Sequence, residues 1–271
     1  MSATATPQEY TLPLSGYTSP SSSAKVQTLA SQIRALPHNP DAHPCRADLG
    51  TPDGGKTFIA DLVRWWKKKK SEATTTINSS SDSDKSSSNT LKIDIIVNNA
   101  GYDVVRTLGE ITPADFAAVY DVNVRGVIFL TQALLPHLNA NGRIINMSSV
   151  GARGGFKAMS LYCSSKAALE GLTRCWAAEL GANGTTVNCV NPGPVPSDML
   201  DGVPGEIIAM QKASTPIENR LGSVKEIADI VAMLAGRDGA WITGQAISAS
   251  GLGYVLNDSP GDGDLERSNF E

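Results

Sequence analysis

The stretch from Gly142 to Lys166, GRIINMSSVGARGGFKAMSLYCSSK, decides how the rest of the chain is read. Its opening, Gly142 to Ser148, reads as a strand that ends on two serines. Its close runs into a helix, Tyr162 to Leu180, with Leu169, Leu172, Trp176 and Leu180 on the apolar side. Tyr162 and Lys166 are four residues apart and share a helix face. A tyrosine phenol titrates near pH ~10, too weak an acid to trade protons quickly at neutrality. A nearby ammonium in a partly dry pocket favours the phenolate, and a pKa lowered by ~3 units corresponds to roughly 4 kcal/mol. Lys166 is the candidate for that task. Taken alone the pair is equally a helix-surface pair, so its meaning depends on what surrounds it.

Working outward, strand and helix patterns alternate. Ile93-Asp94-Ile95-Ile96-Val97 is an apolar run of the length of a buried parallel strand, ended by Asn98-Asn99-Ala100-Gly101. Thr112-Pro113, a cap and then proline in the first turn, starts a helix that continues to about Leu138. Upstream, Phe58, Ile59, Leu62, Val63 and Trp66 follow one helix face, and so do Val26, Leu29, Ala30, Ile33 and Leu36. Downstream, Thr185 to Val190 is a strand stopped by Asn191-Pro192-Gly193. Ser223 and Glu226 form a capping box before the helix IADIVAMLA, and Gln245 to Ser248 is a last short strand. Repeated strand–helix units with right-handed crossovers imply an α/β fold: a Rossmann-like open parallel sheet with helices on both faces. Ligands in that architecture lie at the carboxyl ends of strands. That is where Asn98 to Gly101, Ser148-Ser149 and Asn191 to Gly193 fall.

Composition narrows the class. Of 271 residues 41% are hydrophobic and 18% charged, enough apolar material for a sizeable core and incompatible with global disorder. No apolar run approaches the roughly 18 to 20 residues of a membrane helix, which excludes a spanning protein. Met1 to Gly16 lacks the basic start and apolar stretch of a secretory signal. A net charge of −4 argues against nucleic acid as a partner. Cys45, Cys163, Cys175 and Cys189 form no CxxC pair and there are three histidines, so a structural zinc site is not expected and the thiols read as reduced and cytoplasmic. The chain divides into a flexible segment, 1–16, a single domain over 17–256, and a flexible tail, 257–271. Within the domain, 67–90 (KKKKSEATTTINSSSDSDKSSSNT) has one large aliphatic residue, Ile77, and reads as a disordered insertion. Its lysine run is a solvated helix end or a nuclear address.

In these residues and their order, the sequence resembles the short-chain dehydrogenase/reductase family in its classical form. The resemblance covers Tyr17 to Gly253 apart from the insertion. It rests on Ala47-Asp48-Leu49, Asn98-Asn99-Ala100-Gly101, Asn123-Val124-Arg125-Gly126, Ser149, Tyr162-Cys163-Ser164-Ser165-Lys166 and Asn191-Pro192-Gly193. It implies a reductase in which Tyr162 protonates a carbonyl oxygen as a nicotinamide delivers hydride to the carbon. Ser149, thirteen residues before Tyr162, would orient that oxygen, with Ser148 as its adjacent competitor. Lys166 would tune Tyr162 and bind the nicotinamide ribose, and Asn123 would hold a water linking Lys166 to solvent. Asp48 would contact the adenine, Asn99 would line the cofactor groove, and Val195 and Ser197 would sit beside the carboxamide. Arg125 is either a cofactor neighbour or a surface helix arginine. The resemblance further implies a small-molecule ketone substrate, of polyketide or aromatic secondary-metabolite type, a lid over Met199 to Asn219, and a homo-dimer or homo-tetramer.

One part of the family pattern is missing. Classical members open with a strand and a TGxxxGxG loop whose backbone N–H groups cradle the cofactor pyrophosphate. Gly50, Gly54 and Gly55 follow Asp48-Leu49 and lack that spacing. Pro13 argues against a central strand over Glu9 to Ser15. Thr11 to Gly16 reads like the lead-in to a first strand and Tyr17 to Ser22 like the end of a second, as a lost exon or mis-assigned splice site would leave them. The first strand, the glycine loop and the first helix are therefore absent, and strands two and three should separate from the rest of the sheet. Losing about three charge-assisted hydrogen bonds removes about 5 to 9 kcal/mol of cofactor binding, enough to turn micromolar affinity millimolar. Tyr17-Thr18-Ser19 carries no acidic residue for a ribose 2′-hydroxyl, which favours NADP(H) over NAD(H). Two rival readings follow: a non-redox isomerase, dehydratase or cyclase using the same site, or a pseudoenzyme that survives as a partner subunit.

Overall fold

Residues 12–16, 20–37, 40–77, 90–200 and 203–251 are described by a computed structural model. In chain order they form β1 (Leu12–Gly16), α1 (Pro20–Arg34), β2 (Ala42–Arg46), α2 (Gly54–Ile77) and β3 (Ile93–Asn98). Then come α3 (Pro113–Tyr120), α4 (Val127–Leu134), β4 (Leu138–Met147), α5 (Ser160–Leu180) and β5 (Thr186–Pro192). The series closes with α6 (Gly205–Ala213), α7 (Val224–Ala235) and β6 (Ala246–Ala249). The expected tail and residues 78–89 of the expected insertion lie outside the described residues, as do Tyr17, Thr18 and Ser19.

All strand pairs are parallel, but they fall into two sheets. One has the order β3-β4-β5-β6 and the other contains only β1 and β2. Among the described residues no strand pairs with the outer edge of β1 or with the edge of β3 away from β4. This is the division expected when the mid-sheet strand of a doubly wound fold is missing. Val97 on β3 is 38% exposed, where a sheet covered on both faces would bury it. The small sheet is held through its helix instead. Cys45 and Ala47, Phe58 and Leu62 of α2, Ile93 and Ile96 of β3, and Leu130 and Leu134 of α4 share one core. The approach of α2 to α4 needs glycine at Gly55, where a Cβ would lie 2.7 Å from the Phe129 carbonyl oxygen. On the far side, Ile145, Met147 and Val190 pack against Leu234 of α7.

Three expectations are corrected. Leu12–Gly16, assigned to the flexible start, is a strand in register with β2 from Leu12↔Ala42 to Gly16↔Arg46. Pro13 is compatible with it because, among the described residues, β1 pairs on one side only. Residues 67–77 of the expected insertion are helical: α2 carries the lysine run onward to Ile77, with Lys68 and Glu72 one turn apart. The helix from Pro113 runs unbroken to His137, and by length and composition it could cross a membrane. Its Val119, Val122, Val127, Leu130 and Leu134 are instead buried in the fold.

That long helix carries a widened π turn, Asp121–Gly126, between α3 and α4. It starts on Thr112, whose Oγ1 accepts from the Asp115 N–H at 3.2 Å while Asp115 accepts from the Thr112 N–H at 2.9 Å. Ser223 and Glu226 make the same reciprocal box at the start of α7. A buried polar ladder crosses the sheet beneath the strand ends. Asn98 Nδ2 donates to Asn146 Oδ1 at 2.7 Å and to Thr131 Oγ1 at 3.1 Å, and Asn146 Nδ2 donates to Thr173 Oγ1 at 2.8 Å. These bonds fix β3, α4, β4 and α5 relative to one another, and so the loops that follow the strands.

Candidate active site

The carboxyl end of β4 sets the centre of the site. Ser148 is buried, and its Oγ donates to the Lys166 carbonyl at 2.9 Å, which ties β4 to α5. Ser149 is extended and caps a short 3-10 turn, Val150–Ala152, by accepting from the Gly151 N–H at 3.0 Å. Its side chain also stands close enough to the Tyr162 phenol to oppose the rise in that group's pKa. A Cβ on Gly151 would lie 3.3 Å from Ser149 Oγ and 3.6 Å from Tyr162 Cε1, so the absent side chain leaves these two groups room to meet. Of the two adjacent serines, the structure brings Ser149 to the phenol and uses Ser148 as a brace.

Lys166 is 4% exposed, and its Nζ donates to the Met147 carbonyl at 2.8 Å. The same Nζ lies over the Tyr162 ring, 5.6 Å from its centroid. Burial pushes this ammonium down to about 8. Tyr162 is pushed up from its ordinary value, chiefly by burial; the Ser149 side chain opposes the rise, and the Asp103 and Cys163 charges add to it. The expectation that Lys166 makes the phenol more acidic is therefore corrected. The ammonium is spent on a backbone carbonyl and the ring face, while loss of water around the phenol dominates.

Asn123 sits fully buried in the π turn. Its Oδ1 accepts from the Tyr102 N–H at 2.7 Å, and its Nδ2 donates to the Tyr102 carbonyl at 2.8 Å and to Ser165 Oγ at 2.9 Å. The carboxamide thus clips the loop after β3 to α5, and only the second lone pair of Oδ1 remains for the implied water. A Cβ on Gly101 would lie 3.2 Å from Lys166 Nζ and 3.6 Å from Asn123 Oδ1, so this loop passes directly over both.

The remaining predicted residues line the same edge. Asn99 is exposed just beyond β3, and Val195 and Ser197 follow β5, half-buried and exposed respectively. Asp48 is exposed beyond β2, where its Oδ1 accepts from the Gly50 N–H at 2.9 Å. Arg125 pairs with Asp121 at 2.9 Å and donates to the Gly50 carbonyl. It braces the Asp48 loop against the π turn, and its buried Nε has no hydrogen-bond partner among the described residues. Two groups were missed. Asp103, half-buried with its carboxyl pushed up by burial, acts on the phenol. Glu170 receives Arg153 Nε at 3.1 Å and Asn191 Nδ2 at 2.6 Å, which joins the Ser149 turn to the end of β5. Its position four residues after Lys166 was the available signal.

The residues present suit one end of a nicotinamide dinucleotide. Tyr162 and Lys166 would face the nicotinamide ribose with a hydroxyl and a cation, while Asn99 would line the cofactor groove and Val195 and Ser197 would sit by the carboxamide. The pyrophosphate end is different: among the described residues no glycine-rich loop joins a strand to a helix beside β3.

Comparison with known proteins agrees with this fold. The pattern of the family described as Enoyl-(Acyl carrier protein) reductase matches residues 80–254. Short-chain dehydrogenase/reductase FrzI of a Cladobotryum species is 46% identical over 167 residues, covering 59% of this chain and 65% of that protein. The chain thus aligns with less than two thirds of that relative's length. L-xylulose reductase of Aspergillus niger is 34% identical over 277 aligned positions, covering 88% of this chain and 87% of that one. The crystal structure of angucycline C-6 ketoreductase LanV with bound NADP superposes with a TM-score of 0.74 at 28% identity, over 88% of this chain and 84% of that one. The α/β sheet carries a hydroxyl, a phenol and an ammonium, Ser149, Tyr162 and Lys166, at its carboxyl edge. The chain belongs to the short-chain dehydrogenases/reductases.

Proposed function

We propose that the chain reduces an aromatic or polyketide ketone to a secondary alcohol with NADP(H). The observation that carries this is the meeting of Ser149 and Tyr162 beside a buried Lys166. A bound reduced nicotinamide supplies the hydride. Ser149 hydrogen-bonds the carbonyl oxygen and fixes its place. Tyr162, held protonated by burial, gives its phenolic proton to that oxygen as negative charge develops there. Lys166, still cationic at neutral pH, is placed to hold the nicotinamide ribose. Asn123 positions the loop above it. LanV, an angucycline ketoreductase with bound NADP, supports both the substrate class and the cofactor.

Cofactor binding is weak in this reading, because the pyrophosphate loop is missing. The chain self-associates through α3–α4 and α5, where Phe116 and Phe129 stand exposed. Its four free cysteines support a cytoplasmic setting. The missing loop is also what favours the rival reading, proton transfer without redox. NADPH consumption with aromatic ketones tests the proposal. Tyr162→Phe should lower kcat by about 10² to 10⁴-fold, far more than it weakens NADPH binding. Turnover that survives in Tyr162→Phe contradicts the proposal, and turnover that needs Tyr162 but no NADPH establishes the rival.

A further inference from the structure

The absence of a CxxC pair argues against a cysteine-rich zinc site, yet folding assembles a different donor set on the detached sheet. His43 and Cys45 alternate along β2 and so share a face, and Asp61 comes from α2, which packs on it. One ligand atom from each, the imidazole nitrogen, the thiol sulfur and a carboxylate oxygen, all lie within 4.8 Å of one another. His43 Nε2 is 3.1 Å from Asp61 Oδ2, and the Cys45 sulfur lies within 4.8 Å of both ligand atoms. We propose that His43, Cys45 and Asp61 bind a thiophilic divalent cation of the zinc type, linking β2 to α2.

Four observations support it. Ligands about 2.0 to 2.3 Å from a tetrahedral zinc ion stand about 3.3 to 3.8 Å apart, so the widest pair must close by about 1 Å. The imidazole is already oriented, since His43 stacks on Trp65 with centroids 5.0 Å apart and planes 7° apart. Nitrogen, sulfur and oxygen donors together select zinc or cobalt over magnesium or calcium. The His43 and Asp61 side chains are 22% and 31% exposed, which leaves an entry path and room for a water as fourth ligand. Arg64 lies 3.3 Å from Asp61 Oδ1, leaving Oδ2 on the side of His43. As the sulfur–metal bond forms, the Cys45 proton leaves to solvent, because the buried thiol is otherwise held neutral. The site needs nothing from the reductase chemistry. What it supplies is a tie that holds β2, and the Asp48 loop that follows, to the helix that anchors the small sheet.

The test titrates the full chain, stripped with chelator and dialysed, with Co²⁺ as a spectroscopic stand-in for Zn²⁺. The proposal predicts one equivalent bound with an intense near-ultraviolet thiolate-to-cobalt band. That band should vanish in Cys45→Ser and persist in Cys175→Ser. His43→Gln and Asp61→Asn should each weaken binding at least about tenfold. Should Cys45→Ser not fold, those two half-exposed substitutions decide the matter. A wild-type chain without the band, or a band that Cys45→Ser or both of the other variants leave intact, overturns the site.

Discussion

Lys166 is a cation kept almost wholly from water, and its cost is measurable. Its folded pKa, about 8, lies below the ordinary 10.5. Between those values the unfolded chain holds more protons than the folded one, so stability rises with pH across that window. Below pH 8 the full penalty of burying the charge is present. Lys166→Met should therefore stabilise the fold at pH 7 by on the order of 1 to 3 kcal/mol and raise the unfolding temperature accordingly, while abolishing reduction. Thermal unfolding at pH 7 and at pH 10 checks this, because the gain should shrink at the higher pH. The same group sets the activity profile. Above pH 8 the cation proposed to hold the ribose is lost, and with Tyr162 raised rather than lowered no alkaline limb from the phenol should appear near neutrality. Reduction followed by kcat/KM should thus be level up to about pH 8 and then fall. The four-residue spacing and the offset to Ser149 were legible in the sequence. That Lys166 would face the Met147 carbonyl was not, because a backbone acceptor leaves no mark in residue type.

At the scale of elements, Glu170 joins three of them: α5, the turn after Ser149 and the end of β5. Glu170→Gln keeps the shape but removes the charge that Arg153 and Asn191 meet. It should cost about 1 to 3 kcal/mol of stability, read by denaturant unfolding, and loosen the Ser149 turn enough to lower kcat. Ser223→Ala, which removes the cap of α7, should cost about 1 kcal/mol with no effect on turnover. Helix faces and caps such as Thr112 and Ser223 were readable because they obey local periodicity and spacing. The strand over Leu12–Gly16 was not, because the rule against proline applies to strands paired on both sides. The π turn that carries Asn123 was equally hidden, since its sequence DVNVRG reads as ordinary helix.

At the scale of the whole molecule, the described residues form a four-stranded sheet with Ser149, Tyr162 and Lys166 at its carboxyl edge, beside a two-stranded sheet held mainly by side-chain packing through α2. The sequence carried this division because the motifs on either side of the gap kept their order while the loop between them was missing. It could not carry the His43, Cys45 and Asp61 cluster, whose members meet only when α2 folds onto β2. If the pyrophosphate cradle is lost and the nicotinamide end retained, the adenylate half of the cofactor adds little to binding. Calorimetric titration of the full chain with NADPH and, separately, with reduced nicotinamide mononucleotide measures this directly. The account predicts two dissociation constants in the millimolar range, within about tenfold of each other, or under about 1.4 kcal/mol apart. A micromolar constant for NADPH alone, with the mononucleotide a thousandfold weaker, would contradict it.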